Sequence, residues 1–199
     1  MATIPAANNQ PNDIKIRKFR DTLVTGGFAI VAFGIWTVIK SIMEAFTILQ
    51  PLLESIDYNG LTQEQAEQIR TMIEDGTLFN ALLFMVIIFL IVDLIVRVYV
   101  GFSARAIGLQ KKNRNGKEKN GIVWLIFGVI LAVFSVYSLG VTISDTSEIL
   151  RVHSIMYYLV SLFVDVTSIF VTTEVVITGF RLRSLVKKQE NMEEVRDAA

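Results

Sequence analysis

The chain contains no cysteine and one histidine, His153. Disulfides, thiolate metal sites and thiol nucleophiles are therefore excluded, and a multi-histidine metal centre cannot be assembled. No Asn-x-Ser/Thr sequon occurs. There is no HExxH, no glycine-rich phosphate loop and no dense aspartate constellation, so the usual marks of metal-assisted or phosphoryl chemistry are missing. An intramembrane serine protease needs a serine and a histidine buried together, and His153 falls at the end of an apolar run. No enzyme, cofactor or metal is expected. The first 21 residues are polar and carry no apolar h-region with a cleavage site, so the first apolar run is expected to be retained in the mature chain.

What the chain has is apolar sequence. Hydrophobic residues make up 52% of it, gathered into runs that approach or exceed the roughly 20 residues needed to cross a bilayer. Lipid offers no partner to a free peptide group, so each run is expected to be helical. Val and Ile are frequent, but the runs lack the alternating polarity of barrel strands. The expected fold class is all-α: a polytopic membrane protein with four transmembrane helices arranged as two antiparallel hairpins. The expected spans are about 22–40, 78–97, 121–143 and 154–180. Around them lie an N-terminal arm (1–21), an outer amphipathic helix (about 62–75), a basic loop (about 101–120) and a charged tail (181–199).

Charge is balanced in total but segregated along the chain. The arm carries Lys15, Arg17, Lys18 and Arg20. The loop after span two carries Arg105, Lys111, Lys112, Arg114, Lys117 and Lys119, and the tail begins with Arg181, Arg183, Lys187 and Lys188. Between spans one and two stand Glu54, Asp57, Glu64, Glu67, Glu74 and Asp75 against Arg70 alone. Basic segments stay in the cytoplasm, which predicts both termini inside and localisation to an inner cell membrane. The basic inner loop should attract anionic lipid, at about 1 kcal/mol per base near the surface. Nucleic acid is not an expected partner, because the bases are few, close to the membrane and without interleaved aromatics.

Local signals refine this picture. Thr62 and Gln65 have capping-box spacing, Leu61 could staple against Ala66, and Gly76 supplies a stop. Gly26 and Gly34 share a face of span one, while Gly128, Ala132 and Gly140 line a face of span three. Small residues of this kind let helix backbones approach closely, within a chain or between copies. The stretch from Gly26 aligns with that from Asn120, placing Gly27, Phe33, Gly34 and Ser41 on Gly121, Phe127, Gly128 and Ser135. The Gly101-Phe102-x-x-Arg105 string likewise falls on Gly179-Phe180-x-x-Arg183. This is the pattern of a tandem hairpin repeat, although low-complexity apolar sequence produces such matches as well.

Charges inside apolar runs are costly, so each calls for a reason. Asp93 and Arg97 are spaced i,i+4 near the end of span two. They read as a shallow inner-rim pair with Arg97 snorkelling to the headgroups. Glu174 reads as a second inner-rim carboxylate, hydrogen-bonded by Thr178. Lys40 and Glu44 read as an outer-interface pair without a function. Asp165 is different. It lies about 21 Å from the Gly179 interface along the helix, with no base within four residues in sequence. It belongs to a polar stripe with Tyr157, Ser161, Ser168 and Thr172, and span three offers Ser135 and Ser138 at similar depth. Burial favours a neutral acid there unless a cation or water reaches it. These residues are the candidate intramembrane polar site.

The expected role is that of a small interaction or accessory subunit, packing with itself as a homo-oligomer or with a membrane-protein partner. The alternative is a small transporter or channel subunit using Asp165 for protons or cations. The discriminating feature is the surroundings of Asp165: a dry helix contact favours the first, a cavity the second.

Overall fold

The computed structural model describes residues 10–60, 62–109, 122–144 and 155–197. Its elements are α1 (Gln10–Glu54), α2 (Gln63–Glu74), α3 (Thr77–Leu109), α4 (Val123–Ser144) and α5 (Ile155–Asp197), with no strand among the described residues. Four of them, α1, α3, α4 and α5, are long and apolar enough to cross a membrane. The protein is an all-helical membrane protein.

These helices are longer than their apolar cores require. The apolar segments of α1 and α3 each run for 33 residues, about 50 Å at 1.5 Å per residue, against a hydrocarbon layer of about 30 Å. α1 already begins at Gln10 and passes through Pro51 to Glu54. Pro51 lies in the last turn, so the helical hydrogen bond that its missing N–H removes falls near the end of α1, and its carbonyl still accepts from the Ser55 N–H at 3.0 Å. α5 carries the basic tail as helix out to Asp197. α3 does not end near Arg97 or Gly101 but continues to Leu109. The reason is packing: Val100, Gly101 and Ala104 are buried against α1.

The short α2 forms as its local signals predict. Thr62 and Gln65 make both halves of the capping box. Gly60 and Gly76 take positive φ values of 97° and 75°, a conformation in which a Cβ would be strained. Leu61, the proposed staple residue, lies outside the described residues, as do the basic loop from 110 to 121 and His153.

Each long helix has two main neighbours. α1 packs on α3 and α5, and α4 packs on α5 and α3. A Cβ placed on Gly27 would stand 2.5 Å from the Gly101 carbonyl oxygen, and one on Gly101 would stand 2.5 Å from that of Gly27. Gly34 meets Arg97, and Gly108 meets the Arg20 carbonyl and Val24. Numbers along α3 thus fall as those along α1 rise. The same holds for Gly26 against Val175, and for Gly128 against Val176 with Trp124 against Gly179. As a result, the basic stretches of α1, α3 and α5 gather at one end of the bundle. The acidic segment, with α2, lies at the other.

The core is not spread evenly. Leu23, Ile30, Val100, Ala104, Trp124, Leu125, Leu131, Val175 and Leu182 form one buried cluster, concentrated toward the basic end. Gly26, Gly34 and Gly128 make close approaches as the small-residue pattern predicts, and Ala132 is half-buried. At Gly140 nothing among the described residues lies within 4 Å of where its Cβ would be. It packs no helix within the described chain.

A charged cavity between four helices

Lys40 is the residue whose role the sequence order conceals. Its ammonium donates to Asp165 Oδ2 at 2.5 Å, bridging α1 and α5 across 125 positions of sequence. Glu44, one turn further along α1, lies 3.8 Å from the same nitrogen. Lys40 is 9% exposed and Asp165 16%. The expected Lys40–Glu44 pair is therefore the weaker half of a three-residue cluster. The cation expected to be missing near Asp165 comes from another helix.

Arg97 overturns a second expectation. It does not snorkel outward; its side chain is 6% exposed and turns into the bundle. Nε donates to Asp93 Oδ2 at 2.7 Å, as the i,i+4 spacing predicts. Nη1 donates to Ser168 Oγ on α5 at 3.3 Å. Gly34 makes this possible. A Cβ there would come within 2.9 Å of Arg97 Cδ, so the absence of a side chain on α1 leaves the space that the arginine stem fills.

The two pairs belong to one site. Ser168 is one helical turn from Asp165 on α5, and both line a cavity of about 370 Å³ between the helices. α1 contributes Thr37 and Ser41, α3 Asp93 and Arg97, and α4 Ser135 and Ser138. Apolar lining comes mainly from Phe89, Leu90 and Val92 on α3 and from Phe127, Ile130, Leu131 and Phe134 on α4. Two cations, Arg97 in the lining and Lys40 beside it, are set against three carboxylates, Asp93, Asp165 and the more distant Glu44. Ser135 Oγ is buried without a hydrogen-bond partner among the described residues, and so is Ser161 Oγ. Buried hydroxyls in that state are places for a water or a ligand atom.

The candidate polar site is thus assembled only in part. Asp165, Ser168, Ser135 and Ser138 line the cavity. Thr172 is buried but spends its hydroxyl on the Ser168 carbonyl at 2.8 Å. Ser161 is buried outside the cavity lining. The side chain of Tyr157 lies outside the described set. Glu174 is exposed on the outside of α5 while Thr178 is buried, so the inner-rim carboxylate does not join the network. Among the described residues no group of His, Asp and Glu is placed to hold a metal ion.

Lys40, Thr37 and Ser41 are the members that sequence reasoning missed. The available signal was Lys40 itself. A lysine in an apolar run needs a carboxylate, and Asp165, like Glu174, had no base within four residues.

Fold and site together define a class: a helical protein with four helices long and apolar enough to span a membrane, enclosing a cavity lined by charged and hydroxyl side chains. No protein-family model matches the chain, and no curated protein or solved structure is significantly similar to it.

Proposed function

We propose that this is a small transporter-type or channel-type membrane subunit that handles a solute or proton in the cavity, with Asp165 as its central carboxylate and Lys40 as the counter-ion. One observation carries this reading. Asp165 does not end in a dry helix contact; it lines a cavity to which all four spanning helices contribute. Purely structural pairing would favour a closed contact, because an open cavity forfeits packing contacts and leaves Ser135 unbonded. Protons suit this site better than metal cations. A bare cation at Asp165 would have to compete with the Lys40 ammonium already bonded there, whereas a proton neutralises the carboxylate and releases the lysine.

The proposed topology is two antiparallel hairpins in an inner cell membrane, with both termini in the cytoplasm. The positive-inside bias of three segments supports it, together with their convergence on one end of the bundle. The hairpins are proposed as tandem repeats on the sequence match; Gly34 and Gly128 each receive a residue from the following long helix, Arg97 and Val176, although the match itself sets Arg97 on Val175. The polar site itself is not repeated: Asp165 corresponds to Ile87.

The test is proton uptake into liposomes under a potassium–valinomycin potential, read by an internal pH dye. Wild type should acidify the lumen, and Asp165→Asn should reduce the rate about tenfold or more. Equal rates in the two, or none above empty liposomes, would sink the reading.

The second reading is an accessory subunit packing on itself or on a membrane partner. Gly140 favours it, because nothing among the described residues lies within 4 Å of where a Cβ on that small residue of α4 would be. Light scattering of the mild-detergent particle tests it, and a strict monomer with no co-purifying protein would count against it.

A further inference from the structure

The cavity has a side door. Among its lining residues, Phe89 and Val92 on α3 and Ile130 and Phe134 on α4 are each more than half exposed. On α1 and α5, by contrast, the lining residues are buried or half-buried. α3 and α4 touch edge-to-face at Tyr99–Phe127, with ring centroids 5.8 Å apart, and near there at Val100–Gly128. Both contacts lie at the basic end of the seam. Phe89 is ten residues from Tyr99, about 15 Å further along α3, and flanks the open stretch. α3 and α4 also make the least extensive of the four contacts that close the bundle. In a bilayer this mouth faces acyl chains, near the middle of the apolar segments Thr77–Leu109 and Val123–Ser144.

We infer that the cavity admits, sideways from the bilayer, a long-chain amphiphile with a neutral hydrogen-bonding head, and that this head is what Ser135 and the two ion pairs receive. The inference rests on the proposed function in naming the ligand class of the same cavity. Three features carry it. Exposed Phe89, Val92, Ile130 and Phe134 stand at the mouth, and the buried or half-buried lining behind them includes Asp93, Arg97, Ser135, Asp165 and Ser168, so a molecule entering head first brings its chain against apolar and its head against polar groups. Each charged group of the lining is already bonded to an opposite charge, Asp93 with Arg97 and Asp165 with Lys40, which leaves no unpaired lining charge for a charged head and several hydrogen-bonding atoms for a neutral one. Ser135 Oγ, on a residue 9% exposed, is buried without a partner and lines the cavity. A volume of about 370 Å³ falls in the range of small-molecule sites, roughly 300–1,000 Å³. It accommodates a head with the first part of its chain while the remainder stays in lipid.

The experiment is photolabelling of the full chain in nanodiscs with a hexadecanol bearing a diazirine beside its hydroxyl, followed by peptide mapping. Labels are expected on α3 around 89–96 and on α4 around 130–138, displaced by unlabelled hexadecanol and not by hexadecane. Val92→Trp, at an exposed position in the mouth, should remove most of that labelling without disturbing the fold. Ser135→Val should weaken it about three- to tenfold, the worth of one hydrogen bond. Labelling spread evenly over every lipid-facing helix surface, or unchanged by Val92→Trp, overturns the inference. So does tenfold better displacement by hexadecanoate or hexadecylamine, because a charged head would then be preferred. Proton flux separates this outcome from failure of the proposed function. Flux that needs Asp165 with even labelling leaves the transport reading standing and removes the side door. Localised labelling with no Asp165-dependent flux does the reverse.

Discussion

At the scale of single residues, the Lys40–Asp165 pair has the most definite consequences. Lys40→Met leaves Asp165 and Glu44 without the shared ammonium, and an uncompensated buried carboxylate destabilises by about 3 kcal/mol or more. Asp165→Asn removes the charge but keeps a hydrogen-bonding group, so it should cost less. The double variant Lys40→Met, Asp165→Asn should recover much of the loss of Lys40→Met, because neither charge is then stranded. SDS unfolding of the four proteins in mixed micelles measures this cycle. Additive effects would show that the two side chains do not interact.

Asp75 offers a pH-dependent counterpart outside the membrane. Its carboxylate accepts the Thr77 N–H at 2.9 Å. That backbone hydrogen bond, with a further one from the Thr77 side chain, holds the acid below its usual value of 3.8. A carboxyl lowered on folding stabilises at pH above that value, and the contribution fades as pH falls below it. Amide exchange at the start of α3 should therefore show protection lost on acidification below about pH 3.8, and Asp75→Asn should remove this pH dependence.

At the scale of elements, glycine sets how close the helices come. Gly27 and Gly101 face each other so closely that a Cβ on either would meet the other's carbonyl oxygen. Gly27→Leu or Gly101→Leu should destabilise by about 1–3 kcal/mol through overpacking, whereas Gly140→Leu should be nearly neutral in the monomer. The same unfolding measurement compares them, and equal effects at Gly27 and Gly140 would contradict the packing. Gly27 and Gly34 are seven residues apart, as are Gly101 and Gly108. That spacing returns to the same helix face after two turns, so two matching glycine faces were written in the sequence. The small-residue pattern marked Gly26 with Gly34, and Gly128 with Ala132 and Gly140, and passed over Gly27, Gly101 and Gly108, since in an apolar helix any set at helical spacing outlines a plausible face. The capping box of α2 was legible by contrast. A capping box is a local arrangement that neighbouring residues complete by themselves.

At the scale of the whole molecule, topology is the property to test. The natural absence of cysteine makes single-cysteine labelling clean. A cysteine at Asn59, in the acidic segment, should react with an impermeant maleimide added outside intact cells. One at Lys188, in the basic tail, should react only after the membrane is opened. The opposite pattern would invert the proposed orientation. The same bundle has two kinds of interior: an apolar core toward the basic end, and the polar cavity beyond Arg97. The division follows from where the close glycine contacts fall. Gly27–Gly101 and Gly108–Val24 draw α1 and α3 together at the basic end, while the seam between α3 and α4 opens away from Tyr99–Phe127.

The sequence by itself determined that the described chain is helical, that four helices are apolar enough to span a bilayer, that charge is segregated along it, and that Asp165 needs a partner. These properties depend on hydropathy, length and neighbours within about one turn, all of which can be read along the chain. The tertiary structure alone decided that Lys40 is that partner, that Arg97 points inward to Ser168 rather than outward to the headgroups, and that Glu174 stays outside the network. The physical reason lies in the bilayer. In water, an apolar stripe shows which face of a helix is buried. In lipid both faces are apolar, and association follows small-residue packing and polar contacts. Which face meets which is therefore settled only when the helices come together, and the cavity is a property of that arrangement.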